Sequence, residues 1–189
     1  GQADTLTGSS VANTITGGGG DDVLEGLAGA DTIEGGANTD RVSYANSDLG
    51  VTVNLGQSTA QTSAGHASGD VLLNIENLTG SGFADLITAS STANAIDGGG
   101  DIDTASYQNS TLGVTVDLSL STAQTSTGDA SGDVLTNVEN LTGSNQADTL
   151  RGTSGTNTIL GGTGNDVIEG RAGADTLDGG DNTDTAVSY

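Results

Sequence analysis

Aspartate, asparagine or glutamate stands at every ninth position over much of this chain, and an apolar residue usually follows two places later. From Asp4 the polar series runs Asp4, Asn13, Asp22, Asp31 and Asp40. It resumes at Glu76, Asp85, Asn94 and Asp103, and again at Glu139, Asp148, Asn157, Asp166, Asp175 and Asp184. The apolar series includes Leu6, Ile15, Leu24, Ile33, Val42, Leu78, Ile87, Ile96, Leu141, Leu150, Ile159, Ile168 and Leu177. Regularly spaced carboxylates in glycine-rich loops offer hard oxygen ligands, from the side chains and from carbonyls that no Cβ shields. Hard oxygen suits calcium, and without cysteine and with a single histidine the chain has no soft set that would suit zinc.

The elements that position these residues follow from the repeat. The complete unit is GGxGxDxUx, where U is apolar, and "GGGGDDVLE" (17–25) and "GGTGNDVIE" (161–169) match it throughout. "GLAGADTIE" and "GRAGADTLD" lack the second glycine, while "GGANTDRVS" and "GGDNTDTAV" carry Asn at the fourth position. The first part of the unit, ending in Asp, makes a turn, and the three positions centred on U make a short strand. One unit turns once and a second returns the chain to its starting side, so a coil takes two units and U fills a narrow interior. Each Asp then lies above the Asp two units away. At a strand spacing of about 4.8 Å their carboxylates repel unless a cation lies between them.

Longer repeats overlie this one. Residues 44–85 and 107–148 align without a gap, both holding a "GVTV…STAQTS…ASGDVL…ENLTGS" segment. The block between them is shorter by two units, "NAIDGGGDID" standing for "NTITGGGGDDVLEGLAGADTIEGGANTD". The expected organisation is a repeat block over 1–44, a calcium-poor module over 45–79, a shortened block over 80–107, a second module over 108–142 and a block over 143–189, all in one continuous solenoid. In the modules Leu49, Ser58 and Ala67, and Leu112, Ser121 and Ala130, fall on the aspartate register, so no calcium of this type is expected there. The alternations Val51, Val53, Leu55 and Val71, Leu73, Ile75 read as strands.

Composition limits the alternatives. The 189 residues carry a formal charge of −22, with 32 glycines, no proline, one phenylalanine and three tyrosines. Leu, Ile, Val and Phe make up about a fifth of the chain, at the border of the disordered class. A core here must be thin and regular, and the charge must be offset from outside. Arg41, Arg151 and Arg171 are the only basic residues besides His66, which argues against nucleic acid as a partner. The sequence has no apolar run near the roughly 18 residues of a membrane span and no N-terminal charged-then-apolar leader.

These nonapeptides resemble the RTX (repeats-in-toxin) family of secreted bacterial proteins. The resemblance covers 8–43, 80–106 and 143–187. It implies an all-β, right-handed parallel β-roll or β-solenoid with several Ca2+ ions between turns. It also implies type I export without a cleaved signal and folding on external calcium. Carried over onto this sequence, the motif pairs Asp22 with Asp40, in turns formed by Gly17, Gly18, Gly19, Gly20 and Asp21 and by Gly35, Gly36, Ala37, Asn38 and Thr39. The counterpart pairs Asp166 with Asp184, in turns formed by Gly161, Gly162, Thr163, Gly164 and Asn165 and by Gly179, Gly180, Asp181, Asn182 and Thr183. Asp148 with Asp166, and Asp85 with Asp103 beside Gly98, come next, although "GSNQAD" and "GSGFAD" are poor in glycine. Asn13 with Asp31 and Asn157 with Asp175 bring one carboxylate each.

The expected role is a calcium-binding scaffold segment of a large secreted or cell-surface protein of adhesin, surface-layer or matrix type. The alternative is the C-terminal calcium-folding and secretion module of an exported hydrolase or toxin. The chain begins inside a repeat, which favours a longer array, and the absence of an evident cap at either end of the solenoid leads us to expect calcium-dependent end-to-end self-association. No enzyme activity is expected. His66 is replaced by Asp129 in the other copy, Gly17 to Gly20 lack the lysine of a phosphate loop, and Asp101-Ile102-Asp103 ends on the repeat's own aspartate. A flexible linker does not account for an apolar residue every nine positions. A flat ice-binding array is interrupted at Gln146 and Ala147. Tyr44, Tyr107 and Tyr189 close equivalent repeats and read as packing residues.

Overall fold

A computed structural model describes residues 1–188, so Tyr189 lies outside the described residues. Among the described residues, helix is confined to one short 3-10 turn, Gly65–Ala67. The first block lays down β1 (Thr5–Thr7), β2 (Thr14–Gly19), β3 (Val23–Glu25), β4 (Thr32–Ala37) and β5 (Arg41–Ser43). The first module adds β6 (Thr52–Asn54) and β7 (Val71–Leu73). The shortened block follows with β8 (Asn77–Thr79), β9 (Leu86–Thr88), β10 (Ala95–Asp97) and β11 (Thr104–Ser106). The second module gives β12 (Thr115–Asp117) and β13 (Val134–Thr136). The last block gives β14 (Asn140–Thr142), β15 (Thr149–Arg151), β16 (Thr158–Leu160), β17 (Val167–Arg171), β18 (Thr176–Asp178) and β19 (Thr185–Ser188).

Every pairing is parallel and joins successive coils, as in a parallel β-roll. Within the blocks the register is two nonapeptides, with Leu6 opposite Leu24 and Ile15 opposite Ile33. One face carries the sheet β1-β3-β5-β8-β10-β13, succeeded by β12-β15-β17-β19. The other carries β2-β4-β7, succeeded by β6-β9-β11-β14-β16-β18. Only the U residue of each short strand can face inward, so the core is a set of single-file ladders. One runs Leu6, Leu24, Val42, Leu78, Ile96 and Leu135. Its central members are fully buried.

The modules interrupt this alternation, because each lays two strands on one face. The first puts β7 under β4 and β6 against β9, and the second does the same on the opposite face with β13 and β12. Neither pair of neighbours shares a strand ladder, and a buried glutamine joins them. The Gln61 backbone N–H donates to Asp70 O (2.7 Å). Its side-chain amide accepts from Asn54 N–H (2.9 Å) and donates to Asn54 O (3.1 Å), as a peptide group would. Gln124 repeats the arrangement between Asp133 and Asp117. Leu72 and Ile75 point inward while Val71 and Leu73 are half-buried, which corrects the Val71–Leu73–Ile75 alternation read from sequence. The strand follows Asp70-Val71-Leu72, itself a D-x-U triplet, and not the alternation.

Candidate metal centres

The aspartates form hydrogen-bonded columns along the edges of the roll. In each rung the Oδ1 of one Asp accepts the backbone N–H of the residue a coil earlier. Asp22 N–H donates to Asp40 (2.9 Å), Asp85 N–H to Asp103 (2.8 Å), Asp148 N–H to Asp166 (2.8 Å) and Asp166 N–H to Asp184 (3.0 Å). Asn13 and Asn157 donate in the same way to Asp31 (2.7 Å) and Asp175 (3.0 Å). The carboxylates paired by sequence are therefore brought onto adjacent coils. Where a module follows, the longer Glu76 and Glu139 side chains reach the N–H of Asp40 and Asp103 (both 2.9 Å).

The second oxygen separates these carboxylates into three kinds. In the first kind, Oδ2 of Asp22, Asp31, Asp40, Asp103 and Asp166 is buried with no hydrogen-bond partner. A buried carboxylate oxygen without a partner is strongly disfavoured when ionised. Burial accordingly raises the carboxyls of Asp31 and Asp166 and pushes that of Asp103 up to about 7, against the stabilising N–H bonds they accept. The glycine turns crowd around these oxygens. A Cβ on Gly17 would run into Asp22 Oδ2 and the Gly35 carbonyl, and one on Gly161 would meet Asp166 Oδ2 and the Gly179 carbonyl. Carboxylate oxygen and main-chain carbonyl thus lie close together at these glycines, as they also do where Gly80 and Gly143 meet Asp85 and Asp148. Among the described residues no three His, Cys, Asp or Glu side chains gather. What these turns offer is oxygen alone, which fits calcium.

In the second kind a hydroxyl residue closes the turn. Asp85 Oδ2 accepts Ser81 N–H (2.6 Å), and its Oδ1 accepts Ser81 Oγ (2.8 Å) and Val51 N–H (2.7 Å). Asp148 is bound the same way by Ser144 and Val114. The side-chain oxygens of Asn13, Asn94 and Asn157 accept from Ser9, Ser90 and Thr153. Asp175 Oδ2 accepts from Ser188 (2.8 Å).

The third kind belongs to the modules. Asp70 and Asp133, fully buried, accept the N–H of Asp31 and Asn94 at Oδ1 (both 2.8 Å) and continue the columns. Their Oδ2 atoms accept the buried phenols of Tyr44 (3.0 Å) and Tyr107 (2.9 Å). Burial pushes both carboxyls up to about 6 and both phenols well above their ordinary range. Sequence reading missed these residues because they lie three places off the ninefold register, although "GDVL" at 69–72 and 132–135 carries the same D-x-U signal.

The remaining turn residues shape the loops. Asp21 Oδ1 and Asn165 Oδ1 accept the N–H of Thr39 and Thr183 (both 3.1 Å), an outer rung beside the main column. Thr163 bridges to Asp181 and donates to Asn145 O, and Asn182 accepts from Gly164 N–H (3.3 Å). Asn38 and Asn182 adopt φ of 88° and 92°, supplying the left-handed conformation in place of the fourth glycine. Leu27 and Arg171 adopt φ of 66° and 67° in place of the second, a strained choice for such side chains. Gly18, Gly20, Gly36, Gly162, Gly164 and Gly180 take positive φ, while Gly19 and Ala37 face each other in the β2–β4 pairing. Gly98 packs against the Asn137 carbonyl and Asp103 Oδ2.

The family model for the RTX calcium-binding nonapeptide repeat matches in four copies, at residues 7–42, 74–105, 138–162 and 151–186, which together cover more than half the chain. The internal segments left unmatched, 43–73 and 106–137, contain β6, β7, β12, β13, Tyr44, Tyr107, Gln61 and Gln124. No curated protein matches the chain.

Proposed function

Since the chain belongs to the RTX calcium-binding nonapeptide-repeat family and is a calcium-binding repeat segment of an RTX protein, we propose that it serves as a calcium-stiffened scaffold in a large secreted or cell-surface protein. Adhesin, surface-layer and matrix proteins are the class intended. In this reading the five parts expected from sequence act as one solenoid, exported in an unfolded state by the type I route and folded by external calcium. The repeat family is structural and calcium-binding, not catalytic. Among the described residues, no helix is long and apolar enough to cross a membrane.

The observation that carries the reading is the buried, partnerless Oδ2 atoms beside glycine-turn carbonyls. Asp22 with Asp40 and Asp166 with Asp184, together with the carbonyls of their turns, are the first residues proposed to hold Ca2+. Asp31 and Asp103 follow. Asp85, Asp148, Asn157 and Asp175, whose side-chain oxygens are already hydrogen-bonded, come last. Calcium supplies a counter-charge and an oxygen-coordinating centre between coils, and each ion offsets two units of the −22 charge. At free calcium 100-fold above its Kd, an independent site adds about 2.7 kcal/mol, so a few sites rival the ~5–15 kcal/mol of an ordinary domain. The test is a calcium titration followed by circular dichroism and calorimetry. The expected result is a largely unfolded chain in chelator that folds cooperatively at high micromolar to millimolar calcium. Full β-structure in excess chelator would refute it.

A further inference from the structure

The two modules share one design, yet they differ at one surface cleft. In the second module that space is filled by the chain itself. Arg171 reaches across from β17 and binds Asp117 with both amino groups (2.8 and 2.6 Å), while also donating to Gly152 O (2.8 Å). Arg151 lies alongside, with Glu169 at 3.3 Å. In the first module the equivalent positions are Gln108 for Arg171, Asn54 for Asp117 and Thr88 for Arg151. Every charge has been removed at once, and the space is an open cleft lined by Thr52, Asn54, Thr62, Leu86, Thr88 and Gln108.

The lining is chemically specific. The hydroxyls of Thr52, Thr62 and Thr88 have no hydrogen-bond partner among the described residues. Thr88, a residue only 4 % exposed, forms part of the wall of the cleft. Asn54 Oδ1 is used by Gly56 N–H (2.9 Å), which leaves its amide nitrogen free to donate. Gln108 brings an exposed amide, and Leu86, 37 % exposed, forms an apolar wall. A charged ligand would lose its hydration here without gaining a counter-charge. A molecule with several neutral hydroxyls and an apolar C–H face would meet a partner for each group.

We propose that this cleft of the first module is a binding site for a neutral saccharide ring, and that the second module has lost it to the Arg171–Asp117 pair. The hydroxyls of Thr52, Thr62 and Thr88 and the amides of Asn54 and Gln108 bond the sugar's hydroxyls, and Leu86 packs against its C–H face.

The test is a 1H–15N NMR titration of the calcium-loaded chain with the methyl glycosides of glucose, galactose, mannose and N-acetylglucosamine, and separately with N-methylacetamide. At least one glycoside is expected to shift the signals of Thr52, Thr62, Thr88 and the Asn54 and Gln108 side-chain amides, with a dissociation constant on the order of millimolar, as suits a small open site. Asn54→Asp combined with Gln108→Arg installs the ion pair of the second module and is expected to weaken binding about tenfold or more. Thr88→Val removes one hydroxyl at nearly constant shape and tests the same point if the double variant does not fold. No shift with any glycoside, shifts confined to other residues, response to N-methylacetamide alone, or unchanged affinity in the variants would each overturn the proposal.

Discussion

Asp22 and Asp85 occupy the same place in the repeat and bond the preceding coil through the same oxygen, yet they solve the burial of the other oxygen differently. Asp22 leaves Oδ2 without a partner among glycine carbonyls, whereas Asp85 gives it to Ser81. Asp70 gives it to the Tyr44 phenol. In all three, Oδ1 accepts a backbone N–H from the preceding coil. Whether the buried oxygen is left open is therefore a local property of each turn: it is open in the turns of Gly18, Leu27 and Gly99, and closed where Ser81 N–H or the Tyr44 phenol donates to it. The fold has two kinds of turn, one that leaves a buried carboxylate oxygen unpartnered and one that supplies its own hydrogen bonds.

The largest expected difference between them is in hydrogen exchange at calcium just below the folding midpoint. Backbone amides in 17–22, 35–40 and 161–166 should lose protection, while those at 81–85 and 144–148 and beside Tyr44 and Tyr107 stay protected longest. Uniform loss would mean the turns do not differ in cation dependence. Next is a pair of substitutions read by calorimetry. Asp40→Ala should abolish one calcium site and raise the calcium needed for folding about tenfold or more, the equivalent of roughly 1.4 kcal/mol. Asp85→Ala should weaken calcium binding less than Asp40→Ala and cost about 1–3 kcal/mol, the penalty for stranding the Ser81 and Val51 donors. Tyr44→Phe leaves Asp70 Oδ2 in the state of Asp22 Oδ2, without an ion to meet it. A loss of about 1–3 kcal/mol in denaturant unfolding is expected, with Tyr107→Phe matching it.

Acidity should divide the two states of the chain by sign. Burial places the Asp103 carboxyl at about 7 and those of Asp70 and Asp133 at about 6, against an ordinary 3.8. Between those values the folded, calcium-free chain holds more protons than the unfolded one. Its stability is therefore highest at the acid end of that window and falls as pH rises toward 7. Calcium requires the carboxylate, so bound protein should gain stability over the same interval. Whatever folded fraction survives in chelator should shrink from about pH 5 to about pH 7.5, and the melting temperature in excess calcium should rise. Parallel trends would contradict the assignment of Asp103 to an open turn. The smallest effect is expected at Leu27→Gly. Removing a left-handed leucine should stabilise the calcium-loaded chain by up to about 1 kcal/mol, seen as a modest shift in denaturant midpoint.

The roll was legible from the two interlocked series because a coil of fixed length repeats its chemistry at fixed spacing. Leu24, Ile33, Asp22 and Asp40 stand where that spacing puts them. Asp70 did not declare itself, since the module shifts the register and only the local D-x-U triplet survives. Ser81 and Ser144 were visible merely as missing glycines, because a serine that bonds the aspartate through N–H and hydroxyl looks in sequence like a degraded motif. Gln61 and Gln124 gave no signal. A glutamine that imitates a peptide group has the same letter as one that faces water.

The doubled strands fall on opposite faces because four single strands, β8 to β11, alternate between the modules, an even number. Facing is thus a matter of parity. Gaining or losing a whole coil between modules, the two-unit step by which the middle block is shortened, preserves it, whereas a single nonapeptide would invert it. An array of this kind can vary its length in whole coils while each module keeps the side from which it is approached.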